Sequence, residues 1–275
     1  MGFTVEELLD SLDLKEVGAD RYRGCNIDTG HAVVFGGQLL AQCMVAAMAG
    51  HPGKTVKTLH TVFVRAGDPA VPLDFEVELL HAGRSMASST VTIRQGDRMC
   101  VRSQVLLSAD ESDLIRHADQ PPASFDPPEP GEDSSGGWEV RVVGDVDVSD
   151  PQAVGPPVLD VWTRFVGAPD DPGVSQALLA YATDGFLIGT AMRPHPGVGQ
   201  AQAHRTVSTG VLSHTITFHE PFAAAEWLLL CHHSPYAGRG RSYGRANVFR
   251  ADGQLVASFV QDSMIRPMPT KGLKL

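Results

Sequence analysis

The stretch GRSMASSTVTIRQGDRMCVRSQ, residues 83–104, decides the fold because a second, diverged copy of it occurs later in the chain. Residues 240–261 read GRSYGRANVFRADGQLVASFVQ, and the two stretches align over 22 residues without a gap. They share six identical positions, among them the opening Gly-Arg-Ser and the closing glutamine. Each carries a glycine turn, RQGD or RADG, between two segments with strand character, which predicts an antiparallel hairpin. The repeat therefore indicates a duplicated structural unit.

The repeat continues upstream of the two hairpins. HTVFVRAGDPAVP from His60 parallels HTITFHEPFAAAE from His214. Further upstream lie two predicted helix starts, FGGQLLAQCMVAAMA from Phe35 and TDGFLIGTAM from Thr183. Each unit thus has a helix followed by about four strands. A single helix before antiparallel strands has to be covered by them, which predicts an α+β fold of two tandem units, each with its sheet wrapped around a helix.

Composition predicts where the two units meet. The segment QPPASFDPPEPGEDSSGG is rich in Pro, Gly and acidic residues, which is typical of an exposed linker. We therefore expect an N-terminal unit over residues 1–108, an acidic linker over residues 109–137 and a C-terminal unit over residues 138–275. Two possible strands, WEVRVV from Trp138 and LDVWTRFVG from Leu159, belong to the C-terminal unit in this division.

The net charge of −10 is concentrated around the linker. Residues 109–175 hold 15 of the 32 acidic residues and 3 of the 22 basic residues, so the two units themselves are close to neutral. The sequence contains no basic stripe, so we expect no nucleic-acid partner. No apolar run reaches the roughly 18 residues that a membrane-spanning helix needs, so we expect no membrane partner.

Cysteine spacing and the N-terminus bear on the compartment. Cys25, Cys43, Cys100 and Cys231 are widely separated and form no C-x-x-C pair. This spacing argues against a structural zinc site and against a disulfide framework. The N-terminus has no basic-then-apolar pattern of a signal peptide. We therefore expect a cytoplasmic protein without a bound metal.

The sequence GRSYG, residues 240–244, has the G-x-S-x-G spacing of a serine-hydrolase nucleophile elbow. That elbow requires Ser242 on a sharp turn between a strand and a helix. The residues that follow predict a strand, a turn and a second strand, and the repeat pairs Ser242 with Ser85. We therefore interpret the motif as a glycine-rich entry to a strand.

Six further segments together resemble the acyl-CoA thioesterase II family, the double hot-dog thioesterases. They lie in both halves, in the family order: VFGGQLLAQ (34–42), LHTVFVRAGDP (59–69), LLAYATD (178–184), FHEPF (218–222), EWLLL (226–230) and DGQLVASFVQDSMIR (252–266). The resemblance implies a hot-dog fold in each half and hydrolysis of fatty acyl-CoA to free fatty acid and CoA by water attack. It also implies no cofactor, and it suggests a homo-oligomer, a dimer or tetramer of this chain.

In that family an Asp, a Thr or Ser, and a Gln from the second half hold the attacking water. The resemblance assigns the Asp to Asp184 and the Gln to Gln261. A carboxylate within hydrogen-bond reach can act as a general base, but an acid at a helix start also serves as a helix cap. The residues alone leave both roles open for Asp184, and the resemblance favours the base. Gln261 shares its strand face with Leu255, Ala257 and Phe259, so we expect its amide to point inward.

The third member of the trio is where this chain departs from the family. Val211, in TGVLSHTITFH, stands at the position of the Thr or Ser, and valine can neither donate nor accept a hydrogen bond. Ser213, about 6–7 Å along the same strand face, is predicted as a weak substitute, and Thr209 lies on that face in the other direction. A catalytically weak or inactive acyl-CoA-binding protein is therefore the first alternative. A hot-dog hydratase or dehydratase, which needs a His–Asp pair over the acyl chain, is the second.

Two further groups of residues are predicted to bind substrate. Gly36, Gly37 and Gly185 lie at the predicted helix starts, where glycine permits close approach and backbone N–H groups can hold an oxyanion. Arg239 and Arg241 lie near a glycine-rich loop, and guanidinium groups suit the phosphates of CoA. A solvated loop is the alternative for these two arginines.

Overall fold

A computed structural model of the chain describes residues 3–122, 126–128 and 137–268. These residues form four α-helices: α1 (Val5–Leu12), α2 (Gly36–Met48), α3 (Pro172–Thr183) and α4 (Leu187–Met192). They also form twelve strands: β1 (Lys15–Gly18), β2 (Arg21–Gly24), β3 (Thr55–Phe63), β4 (Leu73–Ala82), β5 (Met86–Gln95), β6 (Arg98–Ser108), β7 (Trp138–Val142), β8 (Val158–Phe165), β9 (Val207–Phe218), β10 (Leu228–Gly238), β11 (Arg241–Arg250) and β12 (Leu255–Pro267).

The twelve strands of the described chain form one sheet in the order β1-β2-β4-β5-β6-β3-β9-β12-β11-β10-β8-β7, and every pairing is antiparallel. The order of the first six strands is repeated in mirror image by the last six. The halves join in the middle, where β3 pairs with β9 and Thr61 lies opposite His214. Both predicted hairpins, β5–β6 and β11–β12, are present. The prediction of two tandem α+β units is therefore confirmed.

The helices α2 and α3 lie in the core between the two halves of the sheet. Ten of the thirteen residues of α2 and nine of the twelve residues of α3 are buried. Helices that are apolar or small around the whole circumference suit an enclosed position and leave no face for solvent. The two helices run antiparallel: Gly37 at the start of α2 contacts Tyr181 near the end of α3, and Gly173 contacts Met48 at the opposite ends.

The described part of the predicted linker begins at the N-terminal half, where Ala109 N–H bonds to the carbonyl of Ser85, and then contacts the C-terminal half. Residues 109–122 contain neither helix nor strand. Arg116 Nη2 lies 2.8 Å from the carboxylate of Glu220, which precedes β10. Residues 123–125 and 129–136 of this segment lie outside the described residues.

Three findings bear on the classes of protein considered from composition. The four cysteines are free thiols. Among the described residues, none of the helices combines the length and apolar character needed to span a bilayer. The same residues contain no group of three or more His, Cys, Asp and Glu side chains that would hold a metal ion.

Candidate active site

Asp184 lies at the junction between α3 and α4. It is the C-cap residue of α3, and α4 begins three residues later at Leu187. The expectation that Asp184 stands at the start of its own helix is therefore wrong, because α3 ends immediately before it. The N-cap residue of α4, Phe186, makes no side-chain capping bond. The carboxylate is directed to a helix of the other half.

The carboxylate of Asp184 caps the N-terminus of α2. Its Oδ2 accepts a hydrogen bond from the backbone N–H of Gly37 at 3.0 Å. The N-cap residue of α2 is Phe35, whose side chain offers no acceptor, so the N–H groups of the first turn need one from elsewhere. Asp184 is thus a helix cap, but of α2 in the other half of the chain; the expected cap of its own following helix is wrong.

Glycine is required at both positions of α2 that meet this carboxylate. A Cβ on Gly36 would lie 2.6 Å from Asp184 Oδ2, and a Cβ on Gly37 would lie 2.3 Å from the carbonyl oxygen of Tyr181. Both distances are shorter than the closest contacts that Cβ atoms make. The Gly-Gly pair therefore allows the N-terminus of α2 to come within hydrogen-bond distance of Asp184.

Burial raises the pKa of Asp184 from its ordinary value to about 7, and the hydrogen bond from Gly37 opposes part of this rise. The residue as a whole is half-buried, yet its Oδ1 is shielded from solvent. Among the described residues, Oδ1 has no hydrogen-bond partner. A carboxyl that ionises near neutral pH is well matched to a general base, and Oδ1 is its free acceptor.

The first turn of α2 supplies backbone donors beside this carboxylate. The N–H of Gly37 is bound to Asp184, while the N–H of Gly36 has no acceptor within the described chain. Such N–H groups carry the positive end of the helix dipole. An N–H at this position can stabilise negative charge that develops on a bound oxygen atom.

Gln261 lies buried on the inner face of β12, as predicted, within a chain of hydrogen-bonding groups. Its Oε1 is 3.1 Å from His214 Nδ1, and its Nε2 is 2.9 Å from the hydroxyl of Ser263. His214 Nε2 is in turn 3.1 Å from the hydroxyl of Thr183. The chain therefore connects Gln261 to the residue that directly precedes Asp184.

A β-bulge in β9 changes which side chains share a face with Val211. Along β12, Asp262 lies opposite Ser213 and Ser263 lies opposite Val211, so Leu212 is an extra residue in β9. Side chains that lie opposite each other in antiparallel strands point to the same side. Because Ser263 is buried on the inner face, Val211 points inward.

Ser213 lies on the opposite face from Val211. Its hydroxyl donates to the Asp262 carboxylate at 3.2 Å, on the outer face of the sheet. The expectation that Ser213 shares the face of Val211 is therefore wrong, because Leu212 breaks the alternation of the strand. Thr209, which lies opposite Ile265 and is 8% exposed, does share the face of Val211.

Aromatic side chains pack around the end of α3 that precedes Asp184. Tyr181, one turn before it in α3, packs edge-on against Trp138 at 5.4 Å and against Phe35 at 5.0 Å between ring centroids. Trp138 also stacks on Phe165 at 5.8 Å. Because Phe35 is the N-cap of α2, this packing holds the end of α3 against the start of α2.

Family profiles match both halves of the chain. The acyl-CoA thioesterase N-terminal domain matches residues 26–108, and the acyl-CoA thioesterase C-terminal domain matches residues 117–265. The chain belongs to the acyl-CoA thioesterase family.

Individual members of the acyl-CoA thioesterase family are similar over nearly the whole length. Acyl-CoA thioesterase 2 of Haemophilus influenzae is 28% identical over 97% of this chain and 99% of its own. Acyl-coenzyme A thioesterase 8 of mouse is 28% identical over 94% of this chain and 88% of its own. The crystal structure of acyl-CoA thioesterase II TesB2 from Mycobacterium marinum is 30% identical, covers 98% of this chain and 99% of its own, and superposes with a TM-score of 0.79. The expected double hot-dog fold is confirmed.

Not every glycine predicted for this thioesterase-family site is sterically required. Gly185 directly follows Asp184, and its carbonyl accepts a hydrogen bond from Gln200 Nε2 at 3.2 Å. The nearest atom to a Cβ built on it is the carbonyl oxygen of Ala182 at 3.5 Å, an ordinary contact. Substrate binding at Gly185 stays a prediction.

Arg239 and Arg241 are exposed at the turn between β10 and β11. Ser242, the next residue, is buried inside β11, and its neighbour across the sheet is the inward-facing Ser263. Successive residues alternate in a strand, so Arg241 leaves from the outer face. Contact of these arginines with phosphate stays a prediction.

A strand also continues after Ser242, which leaves no strand–turn–helix setting for a nucleophile elbow.

Two polar residues of the site were missed from the sequence. Thr183 and Ser263 are both buried and terminate the chain of hydrogen bonds through Gln261 and His214. The signal for Ser263 was its position two residues after Gln261, which places it on the same strand face. Thr183 carried no comparable signal, because the sequence predicts a helix start there, whereas α3 ends there.

Proposed function

We propose that the protein hydrolyses fatty acyl-CoA to free fatty acid and CoA, with Asp184 as the general base. The observation that carries this proposal is the carboxylate of Asp184 at the N-terminus of α2, bonded to Gly37 and next to the N–H of Gly36. Hydrolysis of a thioester needs a base for water and a donor for the oxyanion, and both are present here. The names of the similar proteins supply the substrate class.

The reaction follows from this arrangement. A water molecule bound at Asp184 Oδ1 attacks the thioester carbonyl carbon and gives its proton to the carboxylate. The carbonyl electron pair moves onto the oxygen, which accepts a hydrogen bond from the N–H of Gly36. Collapse of the tetrahedral intermediate breaks the C–S bond, and the proton held by Asp184 passes to the sulfur of CoA. Gln261 orients the attacking water through its amide.

The test is release of free thiol from a panel of acyl-CoAs, short to long, by wild type, Asp184→Asn and Asp171→Asn. Asp171 is a matched control because it caps the first turn of α3 through the N–H of Val174, a role that Asn fills equally well. We expect kcat to fall about 10²–10⁴-fold in Asp184→Asn and to stay unchanged in Asp171→Asn. Equal turnover by wild type and Asp184→Asn would exclude Asp184 as the base.

A second candidate function is acyl-CoA binding with little or no turnover. Val211 favours it, because an inward position of the site holds a side chain without hydrogen-bonding groups. Calorimetric titration with the same acyl-CoAs separates the two candidates. Binding of acyl-CoA without thiol release above the level of Asp184→Asn would establish the binding protein.

A hydratase or dehydratase is less well supported. Its histidine would have to face the acyl chain with a free nitrogen. Both ring nitrogens of the buried His214 already have partners, Gln261 and Thr183. The buried His232 has a free Nε2, but its Nδ1 is 2.9 Å from the carbonyl oxygen of Leu159, and no carboxylate of the described residues forms the His–Asp pair with it. Burial also lowers the pKa of His214 to about 4, so it carries no proton to donate as an imidazolium at neutral pH.

Substrate binding and assembly complete the proposal. Arg239 and Arg241 at the exposed β10–β11 turn are proposed to bind the phosphates of CoA. Double substitution of these arginines to Ala should then raise KM at unchanged kcat.

The chain is proposed to form a dimer or tetramer, since Leu79 and Leu80 on β4 are more than half exposed. Light scattering after gel filtration measures that state. The four free thiols suit a cytoplasmic location.

A further inference from the structure

The hydrogen-bond chain through His214 has a direction that its end groups impose. The hydroxyl of Thr183 has a single hydrogen and two neighbours, the carbonyl oxygen of Ala180 at 2.8 Å and His214 Nε2 at 3.1 Å. A carbonyl oxygen can only accept, and two oxygens 2.8 Å apart repel each other unless a hydrogen lies between them. The hydrogen of Thr183 therefore points to Ala180.

This leaves one arrangement for His214. Because Thr183 donates to Ala180, it can only accept from His214, so Nε2 carries the hydrogen. The imidazole is neutral, since it is buried between the uncharged Thr183 and Gln261 and its pKa is lowered to about 4. A neutral ring protonated at Nε2 presents a lone pair at Nδ1, and Nδ1 needs a donor.

The only group that faces Nδ1 in the described structure is the amide of Gln261, at 3.1 Å. With Oε1 in that place, an acceptor would face an acceptor. The oxygen and nitrogen of a primary amide are interchangeable in shape, so exchanging them removes the conflict. The amide nitrogen then donates to His214, and the amide oxygen accepts from the hydroxyl of Ser263, 2.9 Å away on the other side.

We propose that His214 is a positioning residue of the site: protonated at Nε2 and held by Thr183, it fixes Gln261 with its amide NH₂ toward His214 and its amide oxygen toward Ser263. The role of this orientation in catalysis rests on the proposed thioesterase function. In the fixed orientation Gln261 keeps one amide N–H unpaired among the described groups. In the opposite orientation the amide oxygen takes the place of the NH₂ group, so Gln261 presents a lone pair to His214 Nδ1, which needs a donor.

The experiment compares wild type with Thr183→Val and Thr183→Ser. Valine has nearly the shape of threonine but cannot accept from Nε2, whereas serine keeps the hydroxyl. Proton–nitrogen correlation NMR of protein labelled with ¹⁵N-histidine reports the tautomer directly, and His214→Asn assigns the signal. Steady-state kinetics with an acyl-CoA that the wild type hydrolyses, or titration where it only binds, gives the functional effect. Thermal unfolding verifies that each variant is folded.

We expect the Nε2–H tautomer in wild type and Thr183→Ser, and its loss in Thr183→Val together with an about tenfold lower kcat at unchanged KM. The Nδ1–H tautomer in wild type would overturn the proposal, whether or not the protein is an enzyme. A wild-type kcat in Thr183→Val, with the tautomer lost, would overturn the positioning role. Absence of turnover in every form would count against the thioesterase function alone, since the tautomer is measured without substrate.

Discussion

Asp184 Oδ2, from the second half of the chain, accepts a hydrogen bond at 3.0 Å from the N–H of Gly37, from the first half. Neither half contains this pair alone. The first half has a helix N-terminus whose own N-cap residue is Phe35, and the second half has a half-buried acid whose own helix has just ended. Because α2 and α3 pack antiparallel, the N-terminus of α2 and the carboxylate of Asp184 lie next to each other. The duplicated fold thus places one candidate site at the junction of its halves.

Gly36→Ala is expected to impair activity without unfolding the protein. The new Cβ would lie 2.6 Å from Asp184 Oδ2, the end of a side chain that can turn aside. Turning aside breaks the bond to Gly37 and moves the proposed base, and a displacement of about 1 Å at a reacting group costs on the order of 10²-fold in rate. Thiol release measured beside thermal unfolding tests this expectation.

Gly185→Ala is the matched control for that change. It introduces the same methyl group next to Asp184, but the nearest atom is 3.5 Å away. Its kcat should equal that of wild type, whereas its KM tests the predicted contact of Gly185 with substrate. Equal losses in Gly36→Ala and Gly185→Ala would show that the contact with Asp184 Oδ2 has no special role.

Gly37→Ala is expected to lower stability rather than only activity. Its Cβ would lie 2.3 Å from the carbonyl oxygen of Tyr181, a backbone atom of α3 where the start of α2 packs against the end of α3. Backbone cannot turn aside as a side chain can, so α2 and α3 have to separate. Overpacking of this kind typically costs about 1–3 kcal/mol. A urea unfolding curve measures the loss; an unchanged midpoint would mean that the helices adjust freely.

The pH dependence of activity should follow the ionisation of Asp184. A general base acts in its deprotonated form, and burial raises the pKa of this carboxyl to about 7. We therefore expect kcat/KM to rise with pH and to level off above about pH 7. A profile that is flat from about pH 5 to 8 would assign the base to another group. The residual rate of Asp184→Asn should lack this step.

Stability should change with pH in the opposite sense. The folded state holds the proton of Asp184 more tightly than the unfolded state, whose carboxyl ionises near pH 4. The stability of the wild type therefore falls as the pH rises from about 4 to 7, and the cost is fully present above pH 7. Asp184→Asn removes it, so the variant should be more stable than wild type at pH 8 by on the order of 2–4 kcal/mol. A less stable Asn variant at pH 8 would contradict this sign.

Features that depend on local sequence were predictable from the chain. The two hairpins, β5–β6 and β11–β12, follow from glycine turns between strand-forming segments, and the inward direction of Gln261 follows from strand alternation. The fold class then follows, because one helix before such a sheet has few ways to bury its surface.

Features that depend on packing between the halves were not predictable. The role of Asp184 as a cap of α2 requires knowing that α3 and α2 are antiparallel, and its neighbours in sequence carry no such information. The predicted strand face of Ser213 was wrong for a different reason. The bulge at Leu212 is set by pairing with β12, and Gly210, two residues earlier in β9, does not by itself indicate which residue is the extra one.

Val211→Thr is expected to raise activity, and Ser213→Ala is its matched control. Val211 lies on the inner face opposite Ser263, so a hydroxyl there would point to the side of Gln261, whereas Ser213 lies on the outer face with Asp262. One added hydrogen bond to the attacking water is worth about 1 kcal/mol, which corresponds to a several-fold higher kcat. Burying the hydroxyl costs a similar amount of stability, since Val and Thr are not equivalent in a core. Thiol release with saturating acyl-CoA measures the gain. A loss of activity in Ser213→Ala, with no gain in Val211→Thr, would return the role of the missing hydroxyl to Ser213 and contradict the assignment of faces made from the bulge.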